Sequence, residues 1–170
     1  VIRLCVLPEH RGTTAALCLY AGLYQLSVRH GISAWIAGVN CHTNEAADAE
    51  LVYQIAASRG LVTSTLVLPR RPVSPLGTDR VRMYSPAQHR LPLHDGMLGL
   101  PLPAPVEAAT PQLGARLAGR PWFDRRFGRY KAPMLAQLAS IPTVTLARFA
   151  SVVRWSGPAD FGGHKGASHV

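Results

Sequence analysis

The chain has 170 residues, which is enough for one domain with a buried core, and its 18 Lys and Arg exceed its 9 Asp and Glu to give a formal charge of +9. No apolar run approaches the ~20 residues needed to span a bilayer, and the three cysteines lack the spacing of a zinc site or a disulfide framework. We therefore expect a cytoplasmic domain with acidic partners, such as a carrier protein, anionic lipid headgroups, the phosphates of CoA or nucleic acid.

The N-terminal stretch, Val1 to Gly38, has the pattern of a strand, a turn, a helix and a second strand. VIRLCVL is apolar and is stopped by Pro8, and an apolar helix follows from Thr13 to His30. SAWIAGV, from Ser33, is long enough for another strand. The pattern predicts two adjacent parallel strands with the helix packed across them.

The turn before this helix has the composition of a phosphate site. Arg11 and Gly12 are followed by Thr13 and Thr14. A helix N-terminus presents unpaired N–H groups, and small residues beside a basic one let a phosphate approach them.

The middle of the chain alternates regular and irregular segments. Thr43 or Asn44 has the character of a helix cap before a Glu/Ala-rich run, and LVTSTLVLP reads as an alternating strand. Residues 70–105 are rich in Pro and Arg and predict a loop insertion with little regular structure, apart from a candidate strand at Arg80 to Tyr84.

The stretch from Val106 to Ile141 is the second informative part. It contains Leu113-Gly114, then Asp124-Arg-Arg-Phe, and an apolar run from Ala132. Residues 151–170 are rich in Gly and basic residues and predict a flexible tail.

The segment CVLPEHRG resembles the acyl-donor motif of the GNAT acyltransferase superfamily, with Val6, Pro8, Arg11 and Gly12 in place. Thr14 replaces a later small residue of that motif. The same departure occurs in relatives that take acyl chains from acyl carrier protein, namely the ornithine-lipid and haemolysin-type acyltransferases and the long-chain N-acyl amino acid synthases. The stretch from Val106 to Ile141 is also similar to theirs, which implies a helix that ends in the Leu113-Gly114 turn, then an Asp-x-x-Phe element and a last apolar run.

This resemblance implies an α/β fold, with a GNAT-like mixed sheet flanked by helices. One acyltransferase domain would cover residues 1–150, with the insertion at 70–105 and the basic tail at 151–170. Because the family places further strands before this motif, we expect either that residues upstream of Val1 are missing or that the chain is a remodelled version of the fold.

The implied activity is transfer of a fatty acyl group from an acyl carrier protein or CoA thioester to an amino group of an amino acid or a derivative of one. Donor-binding residues are Val6, Leu7, Arg11, Gly12, Thr13 and Thr14. Backbone N–H groups around Val6 and Leu7 would polarise the thioester, and Glu9 or Asp124 would accept the amine proton, directly or through a water.

The resemblance further implies that the acyl thioester is a co-substrate, with no resident cofactor and no metal. Expected partners are an acidic acyl carrier protein and an anionic membrane surface, with the protein in the cytoplasm or at the inner face of the membrane. Two other classes stay open. One is a nucleic-acid-binding module, motivated by the charge but without a recognition signature, and the other is an inactive scaffold that binds the carrier protein.

Overall fold

The computed structural model describes residues 7–10, 13–68, 79–92 and 99–153. The chain divides into two compact units, of which the first comprises residues 1–33 and 142–170 and the second residues 34–141. In the described part of the chain, no helix is both long enough and apolar enough to cross a lipid bilayer.

The first unit contains two helices, α1 (Ala15–Arg29) and α4 (Thr143–Val152), which pack against each other. Tyr24 of α1 is buried, and its ring centroid lies 5.9 Å from that of Phe149 in α4. Helix α1 confirms the predicted helix to within two residues at each end. It ends where predicted, because Gly31 adopts the left-handed conformation that glycine favours, with φ +65°. The N–H of Gly31 donates to the carbonyl of Val28.

The second unit is built on a four-stranded sheet. The strands are β1 (Ala34–Asn40), β2 (Arg116–Leu117), β3 (Trp122–Asp124) and β4 (Arg129–Gln137). Strand β4 is central, and β1, β2 and β3 each pair with it in antiparallel register. Among the described residues one parallel contact occurs, the bridge between Val62 and Leu117. The fold class is therefore mixed α/β. The strand that was predicted as the parallel neighbour of β1, Val1 to Leu7, lies outside the described residues except for Leu7.

Two helices complete this unit, α2 (Ala46–Ser58) and α3 (Ala104–Leu113). Their apolar sides and the sheet enclose one core. Its largest fully buried members include Tyr84, Ile55, Leu117, Val52 and Val106.

The turn after α3 depends on glycine. Gly114 adopts φ +63°, and a Cβ added there would lie 2.5 Å from the carbonyl oxygen of Ser140. This left-handed residue ends the helix as predicted and allows the backbone at Ser140 to approach closely.

Three local predictions are wrong. The LVTSTLVLP segment makes one bridge, at Val62, and is otherwise irregular where described; the adjoining β2 has only two residues. Residues Arg80 to Tyr84 form no strand, because side chains near the start of α2 bind their backbone instead. The residue before α2 is Glu45, and no side chain caps that helix.

Candidate functional site

A cleft of about 280 Å³ opens on the second unit between the start of α2 and the segment 82–90. Its titratable lining residues are two arginines, two carboxylates, a tyrosine and a histidine. They are Glu45, Asp48, Arg82, Tyr84, His89 and Arg90.

Asp48 is the buried anchor of this cleft, with 1% of its surface exposed. Its Oδ2 accepts the backbone N–H of Met83 at 2.5 Å and lies 2.9 Å from the hydroxyl oxygen of Thr43. That hydroxyl is also 2.8 Å from the carbonyl oxygen of Val81, so its single hydrogen can go to only one of the two acceptors at a time. These contacts fix the orientation of the carboxylate.

The backbone N–H of Tyr84 also donates to Oδ2, at 3.5 Å, and His89 contacts the other carboxylate oxygen. Its Nε2 lies 2.7 Å from Oδ1 of Asp48, and 28% of its side chain is exposed. Because an ionised carboxylate only accepts hydrogen bonds, Nε2 carries the hydrogen. In the neutral ring the lone pair is then on Nδ1, which leaves that atom as a proton acceptor.

Tyr84 forms a wall of the cleft beside this pair and is not itself a base. Its ring meets that of His89 edge-on, with centroids 6.2 Å apart, and its hydroxyl donates to the carbonyl of Pro101 at 2.7 Å. Burial raises the pKa of Tyr84 above its usual range, and the negative charge of Asp48 raises it further. The phenol therefore stays protonated and fixes the ring.

Backbone hydrogen bonds hold the two sides of the cleft together. Asn44 donates its N–H to the carbonyl of Val81 at 3.1 Å, and its side-chain oxygen accepts the N–H of Val81 at 2.8 Å. With the Met83 bond to Asp48, they anchor the segment that leads to His89. The His89 turn, Gln88–Arg90, is a single 3₁₀ turn.

The predicted donor-binding residues belong to the first unit, and Val6, Arg11 and Gly12 lie outside the described residues. Leu7 is exposed. The hydroxyl of Thr13 donates to the carbonyl of His10 at 2.6 Å and accepts the N–H of Ala15, while Thr14 precedes α1 without a side-chain cap. These residues form the turn into α1, as predicted, and their role in donor binding stays a prediction.

The two predicted proton acceptors lie in different units. Glu9 is exposed in the 3₁₀ turn Pro8–His10. Asp124 ends β3, where its Oδ2 is 2.9 Å from Nζ of Lys131 and its Oδ1 accepts the N–H of Arg126.

Three effects set the pKa of Asp124. Burial alone would raise it, but the hydrogen bonds and positive charges of Lys131 and Arg126 outweigh burial and lower it. The carboxylate is therefore ionised and already paired with Lys131.

A second, larger cavity of about 440 Å³ lies elsewhere in this unit, and it is lined by hydroxyls, Gln137 and Arg116. None of its described lining residues is a carboxylate or a histidine, so it offers no proton acceptor. Within the described ranges, no group of three or more His, Cys, Asp and Glu side chains is placed to hold a metal ion.

The sequence analysis missed Asp48 and His89. One signal for Asp48 was present, because it continues the apolar face of α2 formed by Leu51, Val52 and Ile55 at helical spacing. A carboxylate on a buried face requires a partner. Nothing in the Pro/Arg-rich segment marked His89 as that partner, since the two lie 41 residues apart.

No protein-family model matches the chain, and neither a curated protein nor a solved structure shows significant similarity to it.

Proposed function

We propose that this chain is an N-acyltransferase of GNAT-like fold, which moves a fatty acyl group from an acyl carrier protein or CoA thioester to the amino group of an amino acid or a derivative of one. The observation that carries the proposal is the buried Asp48 holding Nε2 of His89 at an open cleft, with no hydrogen bond to Nδ1 among the residues that the structure describes. In this proposal the proton acceptor is His89 instead of Glu9 or Asp124.

The chemistry requires such a base. A protonated amine first loses one proton to solvent, and its nitrogen then attacks the thioester carbonyl carbon, forming a C–N bond as the C–S bond breaks. His89 takes the second proton, which the nitrogen loses as the amide forms, and the resulting imidazolium gives that proton to the leaving thiolate. Asp48 keeps the ring in the required tautomer and stabilises the imidazolium that forms.

Three features outside the cleft support the same proposal. The order of α3, the Gly114 turn and the β3–β4 hairpin agrees with the order that the resemblance implies for the ornithine-lipid and haemolysin-type enzymes. The turn into α1 follows Arg11 and Gly12, and helix N–H groups beside a basic residue suit the phosphate of phosphopantetheine. The excess positive charge suits an acidic carrier protein.

A binding experiment separates this proposal from the two other classes. Calorimetry with the acylated carrier, the unacylated carrier and a random-sequence DNA duplex, at about 0.15 M salt, compares the three ligands at one screening length. The acylated carrier should bind tightest, because each buried acyl methylene adds up to ~0.8 kcal/mol. Tighter binding of the duplex would contradict the proposal, and equal binding of the two carriers would favour a scaffold.

The donor contact has its own variant. Arg11→Ala should weaken acyl-carrier binding by roughly 1.5–3 kcal/mol, the range for hydrogen bonds to charged groups. Arg148→Ala, which removes the same charge from an exposed position of α4, is the matched control. If both variants lost the same binding free energy, the attraction would be a general electrostatic one and the specific contact of Arg11 would be rejected.

A further inference from the structure

The cleft beside His89 contains two guanidinium groups that are not neutralised. Arg82 and Arg90 both line it and both are exposed. Neither side chain pairs with a carboxylate or donates a hydrogen bond within the part of the chain that the structure describes.

The carboxylates of the cleft are engaged elsewhere. Asp48 is bound by His89 and the groups described above. Glu45 lies 3.6 Å from Nε of Arg80, which itself does not line the cleft. Within the described residues, the cleft therefore presents two positive charges that no carboxylate pairs with.

The backbone that carries these two arginines is anchored by hydrogen bonds. Arg82 stands between Val81 and Met83, whose N–H groups donate to Asn44 and Asp48 of the opposite wall. Arg90 directly follows His89 in the same 3₁₀ turn. Both guanidinium groups are thus attached to backbone that the Asp48 network already anchors, and anchored donors lose less freedom when they bind an anion.

We propose that Arg82 and Arg90 bind an anionic group of a small acceptor, a carboxylate or a phosphate, and so hold the acceptor with its amino group at Nδ1 of His89. Guanidinium groups match the two oxygens of such anions. A cleft of about 280 Å³ suits a small molecule rather than a lipid or a nucleic acid. The amine half of this inference rests on the proposed function, whereas the anion site stands without it.

The acceptor class follows from the two halves. A primary amine and an anion that occupy one small cleft belong to an amino acid with a free carboxylate or to a phosphorylated amine. An amino acid whose carboxylate is blocked as an amide would lose the contact with both arginines.

Three probes test the site in the full chain at low ionic strength. Glycine, glycinamide and inorganic phosphate are titrated while the side-chain Nε signals of the arginines are followed by ¹H–¹⁵N NMR. Glycine or phosphate should shift the signals of Arg82 and Arg90, and glycinamide should not. If glycine binds more tightly, the anion is a carboxylate, and if phosphate does, the acceptor is a phosphorylated amine.

The test variant carries Arg82→Gln and Arg90→Gln, and the matched Arg125 control carries Arg125→Gln and Arg126→Gln, which remove two charges from the exposed β3–β4 turn. The double variant should raise the Kd of the anionic probe at least tenfold and leave Tm unchanged, since both side chains are exposed. The Arg125 control should leave the Kd within twofold. Equal binding of glycine and glycinamide, no binding of either anion, or an unchanged Kd in the double variant would overturn the site.

Failure of the two proposals is distinguishable. If the anion site is right and acyl transfer is wrong, the double variant still binds the anionic probe more weakly than the wild type, although no amide forms with any amine. If acyl transfer is right and the anion site is wrong, glycine and glycinamide are acylated at similar rates.

Discussion

Asp48→Asn should reverse the tautomer of His89 with little change in the fold. The asparagine oxygen would replace Oδ2 and accept from Met83 and Thr43, while its NH₂ group would face Nε2 of His89. Because the amide donates where the carboxylate accepted, Nε2 must become the acceptor, and the ring hydrogen moves to Nδ1. In the variant, Nδ1 would carry the hydrogen of the neutral ring, so this nitrogen could no longer accept a proton.

The expected cost in stability is small. Two hydrogen bonds change from a charged to a neutral acceptor, and each change is worth about 1 kcal/mol. The asparagine also avoids burying a charge, which offsets part of this loss. The free energy of unfolding should therefore fall by no more than about 2 kcal/mol, while catalysis by the base, worth about 10²–10⁴-fold in rate, is lost.

Long-range ¹H–¹⁵N NMR of the imidazole rings reads the tautomer directly, at a pH where the ring is neutral. The His89 signals are assigned by their absence in His89→Gln. The wild-type ring should be protonated at Nε2 and the Asp48→Asn ring at Nδ1. A wild-type ring protonated at Nδ1, or one tautomer in both proteins, would refute the role given to this pair.

The hairpin, the thiols and the glycine turns each carry a further prediction. Asp124→Asn should lower the free energy of unfolding by about 1 kcal/mol at pH 7, and urea titrations should show this difference disappear at pH 2. The ion pair with Lys131 stabilises only the ionised carboxyl, whose pKa is lowered in the folded state. Its contribution is therefore present above the unfolded-state pKa of about 3.9 and is lost as the pH falls through the folded-state pKa. Burial raises the pKa of Cys41 to about 12, against an opposing backbone hydrogen bond, so at pH 8 it should react with a thiol reagent far more slowly than the exposed Cys18, and equal rates would contradict its burial. Gly114→Ala should cost about 2–4 kcal/mol in chemical denaturation and Gly128→Ala about 1 kcal/mol, because both have positive φ but only the first meets a close carbonyl; equal losses would contradict that contact.

Elements set by local sequence could be predicted. Helix α1 has a continuous apolar pattern and a glycine just after its end, and α3 ends at Gly114 for the same reason. The β3–β4 turn is also set locally, because the side chain of Asp124 accepts a backbone N–H within it, although the sequence analysis predicted no hairpin there. Each of these signals lies within a few residues of the structure that it determines.

Features that depend on distant partners could not be predicted. The alternation around Val62 is a valid strand pattern, but Leu117 offers it one bridge, and Leu66 and Leu68 remain exposed. The cleft is the same kind of case, because Asp48 becomes a site residue only when residues 79–92 fold against α2. Propensity and spacing contain no information about that contact.

The most direct test of the proposed function is the product itself. The chain is incubated with an acyl carrier thioester and a panel of amino acids, and amides are identified by mass spectrometry while released thiol is counted. The proposal predicts one thiol for each amide, and a rate at least a hundredfold lower in His89→Gln than in His30→Gln, the same change at an exposed position after α1. Thiol release without amide, or equal rates in the two variants, would contradict the account.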